Sequence, residues 1–193
     1  GWWRFEDDGE GGVTANDSSS YGNDGDLTNF GCTVLDCNLT GGLEGTGSGW
    51  TSAGARGKGM IFDGVKDHVR LPDNNAIGMD DDIYTIEAWF NKKDVGDGNA
   101  DIFVASYSSD DSVEIALRVS SGFTTANLFH RGDGGGTNVN INSPAVTSNT
   151  WHHAAAVREA SNSFRLYLDG EEVATSSNTP AAATIDRHSI GNY

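Results

Sequence analysis

Residues 151–170 read WHHAAAVREASNSFRLYLDG, and the period of their apolar residues decides the fold class. Strict alternation, in which successive side chains take opposite faces, marks a β-strand rather than a helix. Trp151, His153, Ala155 and Val157 fall on one face of the first run, and His152, Ala154, Ala156 and Arg158 on the other. We expect the first set toward the core, so His153 should support stability more than His152. Two histidines on opposite faces cannot chelate one metal. In the second run Phe164, Leu166 and Leu168 point inward while Arg165, Tyr167 and Asp169 point outward. The Asp-Gly that follows is the signal of a tight hairpin turn into the short strand EVATS.

The same period recurs along the chain. In YTIEAWFN, Tyr84, Ile86, Ala88 and Phe90 share one face. In SVEIALRV, Val113, Ile115, Leu117 and Val119 do so. KGMIFDG, DHVRL, DIFVASY, TTANLFHR and TNVNIN read as further strands between Gly/Asp/Asn turns, and helical periodicity is nearly absent. The expectation is an all-β chain, a two-sheet sandwich or jelly roll, forming one domain over residues 1–193. Residues 38–59 read as a long glycine-rich loop.

Twenty-eight acidic against 12 basic residues give a formal charge of −16. Phosphate binding relies on Lys and Arg, so nucleic acid and anionic membranes are disfavoured partners. No window approaches the roughly eighteen uninterrupted apolar residues of a membrane span, and no leader opens the chain; the expectation is a soluble protein, secreted or displayed at a cell surface. Cys32 and Cys37 would close a short loop. A disulfide is favoured over free thiols if the compartment is oxidising.

At this point the residues resemble a known family. WHHAAAVRE…FRLYLDGEEV, preceded in order by WWRFEDD, DSSSYGNDGDL, GKGMIFDGVKDHVRLP and YTIEAWF, is similar to the LamG-like, concanavalin A-like jelly-roll domains of secreted bacterial and archaeal proteins. The resemblance implies a sandwich of two antiparallel sheets with WWRFE as its opening strand. The family's usual last strand is not seen after SIGNY, so the expectation is either that the chain was cut or matured or that another segment or chain supplies the strand that pairs with the edge at residues 1–8. The resemblance further implies a structural calcium near Glu6, Asp7, Asp17, Asn23 and the carbonyl of Gly64, all hard oxygen donors of the kind calcium takes. The competing reading is that Asp17 and Asn23 cap turns.

Other chemistry finds weaker support. Asp97, Asn99 and Asp101 alternate like the start of a calcium loop, yet the glycine and glutamate of an EF-hand are missing, so a solvated turn is expected. Glu87 and Glu114 are lone outward acids on separate strands, whereas glycoside hydrolysis needs a carboxyl pair across one cleft. Arg131-Gly132-Asp133 in a glycine-rich loop is too short to argue integrin adhesion. Asn16 and Asn38 stand in glycosylation sequons. The functional expectation is a non-catalytic recognition module for a glycan or a cell-surface partner protein, with Trp89, Tyr107, Arg131, Asp133, Arg165 and Tyr167 as candidate ligand contacts. The alternative is a structural subunit of a filament or adhesin that associates through its open edge.

Overall fold

The computed structural model describes residues 1–6, 12–31, 48–64, 66–73, 77–79, 83–93, 100–107, 110–120, 124–133 and 136–191. The strands are β1 (Thr14–Ala15), β2 (Gly25–Thr28), β3 (Gly49–Gly54), β4 (Gly57–Ile61), β5 (His68–Arg70), β6 (Tyr84–Asn91), β7 (Ala100–Tyr107), β8 (Asp110–Ser120), β9 (Thr125–Arg131), β10 (Val139–Ala145), β11 (Trp151–Ala160), β12 (Ser163–Leu168), β13 (Glu171–Ser176) and β14 (Arg187–Gly191). Among the described residues there is no α-helix, hence none long and apolar enough to cross a membrane. The chain forms two compact units, Gly1–Pro72 with Ser189–Tyr193, and Asp73–His188.

In the first unit β1 pairs with β2, β2 with β5, and β5 with the end of β14, all antiparallel. The expected opening strand is reduced to a single bridge between Trp3 and Asp17, because Phe5 takes a φ of 53° and breaks the extended run. The stretch read as a loop over 38–59 carries the hairpin β3–β4 at its described end. Glycine makes this hairpin feasible: a Cβ on Gly54 would stand 2.0 Å from the Lys58 carbonyl oxygen. Trp50 of β3 is fully buried and donates its indole N–H to the Gly12 carbonyl at 2.9 Å. Cys32 and Cys37 lie outside the described residues.

The second unit is a two-sheet sandwich. One sheet runs β13-β12-β11-β6 and the other includes β7-β8-β9-β10, every pair antiparallel. Val113, Ile115 and Leu117 of β8, Leu128 of β9, and Phe164 and Leu166 of β12 are core residues, all at most 1% exposed. Each such side chain contributes about 1.5–3 kcal/mol of transfer free energy, an upper range because the unfolded chain already shields some surface. The core also holds His130, whose Nδ1 is hydrogen-bonded to the Tyr84 hydroxyl at 2.9 Å and whose ring meets Phe164 edge-on at 5.5 Å. Burial, with Arg158 adding to it, lowers the His130 pKa to about 4, so it is neutral in the folded protein.

The alternation expected for β6, β8 and β12 is present. For β11 the two faces are exchanged. Ala154, Ala156 and Arg158 face the core, and His153 stands outside. The inward Arg158 is 5% exposed; its Nε donates to the Ala160 carbonyl at 3.3 Å and its guanidinium lies 5.3 Å from the Phe164 ring centroid. An arginine so satisfied can occupy a position that its charge alone would assign to solvent.

Candidate functional site: the outer face of the four-stranded sheet

Cross-strand register assembles the outer face of the β13-β12-β11-β6 sheet. Trp89 stands opposite His153, Glu87 opposite Ala155, and Ala155 opposite Tyr167, which itself faces Glu172; one row along, Thr85, Val157, Arg165 and Thr175 line up. Ala155 has almost no side chain, so it forms the floor between Tyr167 and Glu87, which are two strand spacings or about 10 Å apart at the backbone. Trp89 is 44% exposed, and its ring centroid lies 5.3 Å from that of His153 at a tilt of 54°. His153 Nε2 stands 3.7 Å from Glu87 Oε2. At the far side Arg165 Nε meets Glu159 at 2.8 Å, and its Nη1 meets Glu172 Oε2 at 2.5 Å. These bonds raise the Arg165 pKa further and lower that of Glu159. Three candidates from the sequence, Trp89, Arg165 and Tyr167, thus share one face.

The other three do not join them. Tyr107 closes β7 and Arg131 ends β9, on the other sheet. Asp133 is a structural acceptor: its Oδ2 takes the Thr184 N–H at 3.0 Å and the Thr184 hydroxyl at 2.7 Å. A side chain on Gly132 would collide with the Ala181 carbonyl at 2.0 Å. Arg131-Gly132-Asp133 is therefore braced by the 181–184 segment rather than presented on a free loop.

The paired histidines have a structural answer. Asp169 and Gly170, with φ of 53° and 88°, make a two-residue turn between β12 and β13 in which both central residues are left-handed, as a type I′ hairpin requires. Asp169 Oδ2 accepts from His152 Nδ1 at 2.7 Å, and its Oδ1 accepts the His153 amide at 2.8 Å. His152 Nε2 in turn lies 3.2 Å from both the amide nitrogen and the carbonyl oxygen of Thr147. Burial works to raise the Asp169 pKa, but the bonds from His152 and His153 outweigh it and the net shift is downward. This clamp ties the start of β11 to the hairpin turn and leaves His153 to present its ring outside.

Asp17 organises the first unit. Its Oδ1 accepts the amides of Trp2 and Ser19 at 2.7 and 2.8 Å, and its Oδ2 accepts the Ser19 hydroxyl at 2.8 Å and the Asn23 amide at 2.9 Å. Burial works against ionisation, yet these donors together hold the carboxyl well below the usual range. A carboxylate offers about four lone-pair directions, and all four are used, so the described residues do not fit a calcium site centred on Asp17. Among the described residues no three His, Cys, Asp or Glu side chains converge as a metal group. Glu6 lies against Gly57 at the start of β4, Gly64 turns at a φ of 78°, and Asp7 lies outside the described residues.

A family model described as the Concanavalin A-like lectin/glucanases superfamily, of laminin G type, matches residues 63–192. The chain belongs to this family. Among solved structures, the concanavalin A-like chain is similar to the CBM40 of Ruminococcus gnavus IT-sialidase bound to α2,3-sialyllactose, at 14% identity and a TM-score of 0.48, covering 58% of this chain and 64% of that one. It is similar to the carbohydrate-binding module CBM66 from Bacillus subtilis at 15% identity and a TM-score of 0.46, covering 75% and 88%. The binding domain of Paraclostridial Mosquitocidal Protein 1 shares its fold at a TM-score of 0.52 and 15% identity, covering 76% and 41%. The chain spans slightly less than two thirds of the CBM40 structure. No curated protein matches it.

In this concanavalin A-like frame the two acids singled out from sequence lie on different sheets. Glu87 is on the outer face of β6, while Glu114 of β8 is paired to Arg118 at 2.8 Å. On the same face of β7-β8-β9-β10 the Arg118 Nε donates to Asn127 Oδ1 at 2.9 Å, and the Asn127 amide donates to Asn140 Oδ1 at 2.7 Å. Asp101, read from sequence as the end of the DGNAD turn and the start of the strand DIFVASY, sits in β7 opposite Arg118 with Oδ1 buried and without a hydrogen bond. Burial first, and Glu114 next, raise its pKa to about 6 against the opposing pull of Arg118.

Proposed function

We propose that this chain is a carbohydrate-recognition module, acting outside the cell, that binds glycan on the outer face of the β13-β12-β11-β6 sheet without transforming it. The observation that carries this is Trp89: a large exposed ring held beside His153 and Glu87 by strand register. An aromatic face accepts the apolar face of a sugar ring, and polar groups on the same plane answer its hydroxyls. A Glu87 carboxylate accepts hydroxyl protons, and the Tyr167 hydroxyl and His153 ring can donate or accept. Glu87 stands three strands away from Glu172 along the register, and the two carboxylates that do lie close together, Glu159 and Glu172, are both engaged by Arg165. The test is a glycan panel followed by calorimetry with Trp89→Ala. Saturable binding that the substitution removes supports the reading; a panel without a ligand, or binding indifferent to Trp89, contradicts it.

A second reading, self-association, rests on a separate observation. In the first unit Trp2, Val13 and Tyr21 are 61%, 61% and 73% exposed, although the Trp2 amide and carbonyl are bound to Asp17 and Ser18. Rigidly held exposed aromatics are the sort of anchors that a second copy would bury. Light scattering on the chain and on Trp2→Ser with Tyr21→Ser decides it: oligomers that the substitutions dissolve support assembly, and a monomer at all concentrations rejects it.

A further inference from the structure

We infer that the ligand of the Trp89 face is a neutral glycan, and that this face discriminates against sialic and uronic acids. The inference rests on the carbohydrate-binding reading above and narrows its substrate class. Recognition of a sugar carboxylate calls for a guanidinium or ammonium whose donors are open, because a bidentate arginine supplies both charge and geometry. Among the described residues Arg165 is the arginine on this face, and two carboxylates already hold it: Nε donates to Glu159 and Nη1 to Glu172. Two carboxylates on one guanidinium leave that cluster with a net negative charge. The positive charge that His153 gains on protonation is already faced by Glu87, whose side chain is 65% exposed.

Charge at longer range points the same way. With a formal net charge of −16, the chain repels an approaching anion over roughly the Debye length, about 10 Å at 0.1 M salt. A neutral pyranose escapes this repulsion. It keeps the stacking on Trp89 and the hydroxyl bonds to Glu87, which an acidic sugar would hold only by setting two carboxylates against each other.

The experiment uses matched probes, lactose against α2,3-sialyllactose and cello-oligosaccharide against an oligoglucuronide of equal length, titrated into the whole chain at 50 and 500 mM salt. The neutral member of the pair that binds is expected at least tenfold tighter at low salt, with the gap narrowing at high salt. Glu159→Gln combined with Glu172→Gln releases the Arg165 guanidinium, so the ratio of acidic to neutral affinity is expected to rise at least tenfold. An acidic member that binds the unaltered chain as tightly as its neutral partner overturns the inference and leaves the carbohydrate reading standing. If the broad glycan panel yields no ligand, the carbohydrate reading falls, and the inference with it.

Discussion

Trp89 and His153 are directly opposed cross-strand residues whose rings stand 5.3 Å apart on the outer face of a four-stranded sheet. His152, next in sequence, is turned the other way and bound to Asp169 at 2.7 Å. The two histidines therefore do different work. His152→Ala is expected to cost about 1–3 kcal/mol, because it strips a charge-assisted bond from Asp169 and a partner from the Thr147 amide. His153→Ala should cost under about 1 kcal/mol, as surface changes do, and weaken glycan binding instead. Urea denaturation of both variants checks this, and a larger loss from His153 would reverse the assignment of faces.

The clamp on Asp169 has a pH signature. Its pKa is lower in the folded chain than in the unfolded one, so the stability it adds is present above the unfolded value, near 4, and is lost as pH falls through the folded value. Asp169→Ala should abolish that contribution and strain the turn, whereas Asp169→Asn keeps a residue tolerant of positive φ. Thermal melts from pH 3 to 7 should show the gap between each variant and the parent narrowing toward the acid end, with the asparagine variant closer to it throughout and the alanine variant keeping the deficit of the strained turn.

Asp17 satisfies four donors at once, so Asp17→Ala should destabilise the first unit by about 2–4 kcal/mol. Because its lone pairs are spent on the chain itself, a chelator should leave the melting temperature within about 1 °C. A chelator-induced drop of several degrees, restored by calcium, would show that the ion is held by this loop after all.

Asp101 and His130 pull stability in opposite directions with pH. The folded Asp101 pKa is raised to about 6, so its favourable contribution holds below the unfolded value and is lost as pH rises through about 6. The folded His130 pKa is lowered to about 4, so its contribution holds above the unfolded value near 6.5 and is lost as pH falls toward 4. Between these limits the two largely cancel. Asp101→Asn removes one side of the balance, and its stability relative to the parent should grow from nothing near pH 3 to at most about 3 kcal/mol at pH 8. Melts at matched salt check the sign; a variant equally shifted at both pH values would show that Asp101 is solvated.

The all-β class and the inward faces of β6, β8 and β12 were legible because bulky residues alternate there with polar ones. The face of β11 was not, because its centre is three alanines, which carry no contrast, and its flanks mislead: the polar Arg158 is buried and the large Trp151 lies half out. Trp89, Arg165 and Tyr167 could be named from sequence, but only register shows that they share a plane. Asp133 looked available because a short motif cannot reveal that Thr184, distant in sequence, binds its carboxylate. Capping of turns by Asp17 was one of two readings the sequence offered, while the count of its donors belongs to the folded loop.

The most direct test of the central claim is calorimetric titration of the best neutral oligosaccharide from a glycan panel into the parent chain and into Trp89→Ala. The account predicts saturable binding by the parent, a loss of at least tenfold in the variant, and melting temperatures within about 2 °C of each other, since Trp89 is an exposed side chain on an intact strand. Equal affinity for both chains would place the glycan elsewhere and contradict the assignment of this face.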